Sequence, residues 1–280
     1  MIKFNNFYYS YQYENQIYQG LNLEMTSGKI YGLFGKNGAG KSTLLKNICG
    51  LNRPTKGSVI VNNYVPQDRK PSFLSDIFMI PEEIYIPPMS QINFIKIYGA
   101  FYPKFSFDQL CDNLDKLGVP EKNKLNKLSF GQKKKFMIAF ALACNTKIVI
   151  MDEPTNGLDI PSKGLFRKLI SSSINNDRLF IISTHQVKDL DDILDHVLIV
   201  DNGNLLLNEN MDNISKKITF KFYTDKPLNN NIVSIEAVSG GYSVMERNIA
   251  NEDSNVNFEQ LFNTSIIKPE EITSLFQPIN

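Results

Sequence analysis

Residues 35–42, Gly35-Lys36-Asn37-Gly38-Ala39-Gly40-Lys41-Ser42, carry the residue types and spacing of a phosphate-binding loop. The glycines let the backbone curl until several N–H groups point at one phosphate chain. Lys41 reaches the β- and γ-phosphates, and the Ser42 hydroxyl is a Mg²⁺ ligand. The expected phosphate-contacting set is Gly35, Asn37, Gly38, Ala39, Gly40, Lys41, Ser42 and Thr43. A second pair of residues completes the chemistry. The apolar run Lys147–Met151 ends in Asp152-Glu153. A parallel sheet gathers the carboxyl ends of its strands at one edge, where ligands bind. There Asp152 holds Mg²⁺ through its water shell, and Glu153 orients or deprotonates an attacking water. Phosphoryl transfer needs mainly positioning and charge neutralisation.

The elements that must position these residues follow from pattern. Ile2–Tyr9, Ile17–Met25 and Lys29–Phe34 are rich in β-branched and aromatic residues and read as strands, with a turn at Thr26-Ser27-Gly28. The strand ending at Phe34 feeds the glycine loop. A helix expected over Ser42–Cys49 aims its positive end at the same anion. Gly57–Val61 is a further short strand. Residues 87–135 are helix-like, with Ile92, Ile95 and Tyr98, then Phe107, Leu110, Leu114 and Leu117, at helical intervals. Lys133–Cys144 reads as a buried helix, Lys147–Met151 as a buried parallel strand, and Leu165–Ile174 as a helix. Leu179–Ser183 and His196–Val200 are strands. The alternation specifies an α/β domain with a mostly parallel central sheet. Beyond about residue 210 the pattern changes: Ile218–Tyr223 alternates like a strand, Gly240-Gly241 sits between two strand-like runs as in a hairpin, and Phe258–Ile267 looks helical. The expected division is residues 1–214, with a helical part at about 87–135, and an accessory α+β unit at 215–280.

Composition narrows the function classes. The chain has 280 residues, 42% of them hydrophobic, and a net charge of +1. That charge gives no electrostatic reason to expect nucleic acid. The run Lys133-Lys134-Lys135 reads as the solvated face of a helix. The longest apolar stretch, Phe136–Cys144, is too short to cross a bilayer. The N-terminus lacks the layout of a signal peptide, so the reading is cytosolic. Cys49, Cys111 and Cys144 have no metal-ligand spacing. No Asn-Lys-x-Asp guanine reader occurs.

Four ordered segments together resemble the ABC-type ATPases over residues 1 to about 210. Besides the glycine loop, Leu128-Ser129-Phe130-Gly131-Gln132 is similar to the family's signature motif, with Phe130 where glycine is usual. Asp152-Glu153-Pro154-Thr155-Asn156-Gly157-Leu158-Asp159 resembles its acidic strand and D-loop, and Ser183-Thr184-His185 resembles its switch histidine. The resemblance implies a P-loop fold with an antiparallel β subdomain and a helical subdomain. It implies two copies stacked head to tail around two ATP molecules with Mg²⁺. Ser129, Gly131, Gln132 and Asp159 of one copy then complete the site of the other, and His185 bonds the γ-phosphate and ties Glu153 to the water. The adenine-stacking aromatic falls at Tyr11 or Tyr13, with Tyr11 preferred; tyrosines there also suit sheet packing. Ile77–Glu82 resembles the segment carrying the family's Mg²⁺-touching glutamine and places Glu82 at that position, while Gln67 lies earlier, in a loop. His196 reads as structural. The function implied is an ATP-hydrolysing subunit that drives a separate membrane permease, in the export direction, from the inner face of the membrane. A soluble ATPase of iron–sulfur cluster assembly type is the alternative.

Overall fold

A computed structural model describes residues 1–11, 16–120 and 124–276. Tyr13 therefore lies outside the described residues. The chain opens with β1 (Ile2–Ser10) and β2 (Gln16–Met25), followed by β3 (Lys29–Phe34), the glycine loop and α1 (Lys41–Ile48). β4 (Lys56–Val61) returns to β1, and the three form an antiparallel sheet of order β2-β1-β4. A one-turn helix α2 (Pro71–Leu74) leads to β5 (Ile77–Ile80), then to α3 (Gln91–Gly99), α4 (Phe107–Lys116) and α5 (Phe130–Ala143). Next come β6 (Ile148–Asp152), α6 (Ile160–Ser173), β7 (Leu179–Thr184), β8 (His196–Asp201) and β9 (Asn204–Asn210). The chain continues through α7 (Met211–Lys217), β10 (Ile218–Tyr223), β11 (Ile232–Val238), β12 (Gly241–Arg247), α8 (Phe258–Ile267) and α9 (Pro269–Phe276).

The central sheet has the order β5-β6-β7-β3-β8-β9. Every neighbouring pair is parallel except β8–β9. This is the mostly parallel sheet that the uninterrupted apolar runs specify, because both faces are covered. On β6, Val149 and Met151 join one apolar cluster with residues of α4, α5 and α6; Ile148 and Ile150 join another with α1 and the small antiparallel sheet. All four are at most 2% exposed, and burying each such side chain contributes roughly 1.5–3 kcal/mol.

Two helices start earlier than periodicity suggests, and caps are the reason. α5 begins at Phe130 because Ser129 and Gln132 cap reciprocally: the Gln132 N–H donates to Ser129 Oγ (3.2 Å) and the Ser129 N–H to Gln132 Oε1 (3.0 Å). α6 begins at Ile160 because the Ser162 N–H donates to Asp159 Oδ1 (2.8 Å) and Pro161 fits the first turn. At their far ends α5 and α6 share one cap. Arg178, 4% exposed, donates to the carbonyls of Leu142 (3.2 Å) and Ser173 (3.4 Å), and burial lowers its pKa to about 10.

The C-terminal strands form an antiparallel sheet of order β10-β12-β11. The expected boundary at 214/215 falls inside α7, and the apolar core runs across it. Phe258, Leu261, Ile272 and Leu275 belong to the same cluster as the helices flanking the central sheet, and the Phe258 ring lies 6.3 Å from that of Phe34.

Candidate active site

Strand register brings the chemistry together. Phe34 pairs with Thr184 and Asp152 with Ser183, so β3, β6 and β7 end side by side. From those ends emerge the glycine loop, Asp152-Glu153 and His185. A cavity of about 370 Å³ opens there, lined by Tyr11, Asn37, Gly38, Gly40, Lys41, Ser42 and Thr43 together with Glu82, Asp152 and Glu153. Gly38 and Gly40 have φ of +83° and +106°, a region closed to most side chains, and a Cβ on Gly40 would meet the Tyr18 hydroxyl at 2.8 Å.

Lys41 is 6% exposed. Its ammonium donates to the carbonyls of Gly35 (2.7 Å) and Lys36 (3.3 Å) and lies 3.7 Å from the Glu153 carboxylate. Glu153, 3% exposed, has Oε1 at 2.9 Å from His185 Nδ1. Its Oε2 is buried without a partner among the described residues. Glu153 also has φ of +48°. A non-glycine residue in that region costs of order 1–3 kcal/mol, and such strain concentrates at functional sites. Its N–H is held by the Ser183 carbonyl at 3.0 Å.

The donor set suits a hard cation. The Asp152 carboxylate accepts from the Ser183 hydroxyl, and Ser42, Glu82 and Asp152 all line the cavity with oxygen. Among the described residues no three His, Cys, Asp or Glu side chains gather into a metal cage. Mg²⁺ typically takes one or two carboxylates and completes its shell with water and substrate phosphate, so these residues fit it. Tyr11 is 55% exposed; its hydroxyl lies 3.2 Å from Thr43 Oγ1, and its ring stands edge-on to Tyr9 at 5.0 Å. Gln67 donates to the Asn52 carbonyl (3.2 Å), away from the cavity lining.

Ser129, Gly131, Gln132 and Asp159 do not line this cavity. Ser129 and Gln132 are engaged in the α5 cap and Asp159 in the α6 cap. The signature segment packs on the D-loop of the same chain: a Cβ on Gly131 would meet the Gly157 carbonyl oxygen at 2.9 Å, and one on Gly157 would meet the Phe130 ring at 2.7 Å. His196 sits at the amino end of β8, the far end from the site. Its Nε2 is 2.8 Å from Asn208 Oδ1, and burial lowers its pKa.

The middle residue of the lysine run at 133–135 corrects the run's sequence reading as a solvated face, while Lys133 and Lys135 stay partly exposed. Lys134 is 1% exposed, and its ammonium donates to the Glu153 carbonyl oxygen at 2.5 Å. Burial lowers its pKa, against the opposing pull of Glu82, Glu153 and Asp152. The sequence signal was slight: 134 lies one helical turn before apolar Ile138, on a helix buried from Phe136 onward.

The ABC transporter family pattern matches residues 18–156. The chain is 30% identical over 218 residues to the lantibiotic transport ATP-binding protein SrtF of Streptococcus pyogenes, covering 76% of this chain and 92% of that protein. It is 29% identical over 228 residues to the energy-coupling factor transporter ATP-binding protein EcfA1 of Mycoplasmoides gallisepticum, covering 79% and 81%. A solved structure of cbiO1 from Clostridium perfringens, part of the ABC transporter complex cbiONQ, is similar with a TM-score of 0.63 and 26% identity, covering 75% of this chain and 88% of that one. A likeness that spans 92% of one such subunit, with a family match running through both the glycine loop and the acidic strand end, places the chain in the ABC transporter family as one of its ATP-hydrolysing subunits.

Proposed function

We propose that this chain hydrolyses ATP between two copies of itself to drive a separate membrane permease. The observation that carries the reading is the cluster at one sheet edge, where the buried Glu153 meets the buried Lys41 and the exposed His185 beside a phosphate loop. Gly35–Thr43 hold the triphosphate, with Lys41 on its β- and γ-phosphates. Ser42, Asp152 and Glu82 would hold Mg²⁺, which would neutralise charge on the phosphate oxygens. Tyr11 offers its ring to adenine. Glu153 accepts a proton from water as the water oxygen bonds to the γ-phosphorus; the bond from that phosphorus to the bridging oxygen breaks, leaving ADP and phosphate. His185 orients the Glu153 carboxylate and the γ-phosphate. Ser129, Gly131, Gln132 and Asp159 act on the nucleotide held by the opposing copy.

An apolar cavity of about 600 Å³ supports the permease. It lies between the central sheet and the helical part and is lined by Phe78, Tyr85, Phe94, Tyr98, Phe101 and Phe140 among others, with Tyr85 85% and Phe101 67% exposed. Exposed aromatics around a groove mark protein contact surfaces. Among the described residues no helix is long and apolar enough to cross a membrane, so the permease supplies the path and this chain sits on its inner face. The direction proposed is export, on the resemblance of the C-terminal unit to extensions of small exporter subunits. Transport assayed in inside-out vesicles carrying the co-purified permease tests the direction; ATP-dependent loss of substrate from the lumen would overturn it.

The catalytic assignment is tested by two variants. Glu153→Gln binds ATP but loses at least about 10²-fold in turnover, and Lys41→Ala loses nucleotide binding. Unaltered hydrolysis by the first, or tight ATP binding by the second, contradicts the site.

A further inference from the structure

We propose that Lys134 is a positioning residue for ATP hydrolysis, fixing the Glu153 backbone from beneath and linking it to this chain's own signature segment. The inference rests on the reading of Glu153 as the residue that activates water.

Two contacts converge on one buried ammonium. Lys134 donates to the Glu153 carbonyl oxygen at 2.5 Å. That carbonyl belongs to a residue with φ of +48°, a conformation that persists only when its surroundings hold it. The N–H of the same residue is held by Ser183 on β7, so the peptides on either side of Glu153 are anchored from two different elements. The ammonium also lies 5.2 Å from the centre of the Phe130 ring, within cation–π range. Phe130 packs in turn against Gly157 of the D-loop. One side chain therefore touches the signature residue and the backbone of the acid, and through Phe130 reaches the D-loop.

The arrangement has a consequence for hydrolysis. The signature segment serves a nucleotide on the opposing copy, whereas Glu153 serves the nucleotide of its own chain. A shift of Phe130 on engagement with the opposing nucleotide is transmitted through Lys134 to the Glu153 carbonyl, and so to the direction of its carboxylate. Lys134 touches no reacting atom, so its effect falls on the catalytic step and not on nucleotide affinity.

The test uses the full chain, with steady-state ATP hydrolysis, fluorescent-nucleotide binding and thermal melting of Lys134→Met, Lys134→Arg and Glu153→Gln. Lys134→Met lowers kcat about tenfold to a hundredfold, as expected for a small misplacement of a catalytic group, while KM and nucleotide affinity stay within about threefold. Lys134→Arg, which keeps a charged donor, recovers most of kcat. An inactive Glu153→Gln beside a Lys134→Met of unchanged kcat overturns the proposal and leaves the acid in place. A Glu153→Gln as fast as the wild type overturns the reading of the acid, and the proposal with it. Equal losses of kcat and affinity in both lysine variants, with lowered melting temperatures, assign Lys134 to packing and overturn the proposal too. If the methionine variant does not fold, Lys134→Gln is read by the same criteria.

Discussion

Glu153 is held through its N–H by Ser183, through its carbonyl by Lys134, and through its carboxylate by His185 and Lys41. The hold on the carboxylate makes a prediction about hydrolysis. His185→Ala removes the only neighbour within hydrogen-bond distance of the carboxylate among the described residues, and kcat falls by about 10²-fold with ATP binding retained; a turnover within twofold of wild type in a coupled-enzyme assay contradicts its role. Tyr11→Ala raises the KM for ATP roughly two- to tenfold, the equivalent of one aromatic contact of about 0.5–1.5 kcal/mol, while Tyr11→Phe does not. A KM unmoved by either change gives Tyr11 to sheet packing. His196 supplies a contrast at the far end of the sheet. Burial keeps its folded pKa below the usual 6.5, so the unfolded chain binds the proton more tightly. Its stabilising contribution is full above about pH 6.5 and is lost as pH falls through the lower folded value. Melting temperatures measured from about pH 7.5 down to about pH 5.5 therefore fall more steeply for wild type than for His196→Gln.

Caps and strand ends decide where the elements stop, and they also decide what was legible in the sequence. The glycine loop could be read because a phosphate loop has fixed spacing, and the acids at the end of β6 because buried parallel strands are uninterrupted apolar runs; His185 was singled out by the resemblance of Ser183-Thr184-His185 to the family's switch segment. α5 and α6 were read late by three and five residues, because apolar periodicity starts only after the capped first turns. β5 and β9 went unread as strands. β5 is a four-residue edge strand, and β9, Asn204–Asn210, is polar at both ends because it pairs on one side only. Lys134 was misread because a lysine run on a helix is ordinarily solvated, and only the tertiary position of the Glu153 carbonyl reverses that. The caps carry measurable stability. Asp159→Ala lowers the denaturant midpoint, because the first turn of α6 loses its N-cap. Arg178→Met costs about 2–3 kcal/mol, because it removes a buried charged donor from two helix ends, that of α5 buried and that of α6 partly so. Denaturant midpoints unchanged by Arg178→Met would show that the guanidinium caps neither helix.

At the scale of the whole molecule, the C-terminal unit shares the core of the ATPase. Leu261 is fully buried in the cluster that covers the central sheet, so Leu261→Ala destabilises by about 2–5 kcal/mol and lowers a single cooperative transition. Two separate transitions, with only one shifted, would make the unit an independent domain. The proposed nucleotide site, by contrast, would be divided between molecules: the cavity holds the loop, the acids and Tyr11, while Ser129, Phe130 and Ile160 face outward, the last two 54% and 86% exposed. The most direct test of this account is sedimentation of Glu153→Gln with Mg²⁺ and ATP, beside the same protein carrying Ser129→Arg. ATP doubles the mass of Glu153→Gln, with two nucleotides bound per dimer, and Ser129→Arg abolishes the doubling while each monomer still binds ATP. A species that stays monomeric while saturated with ATP, or a dimer indifferent to Ser129→Arg, would contradict it.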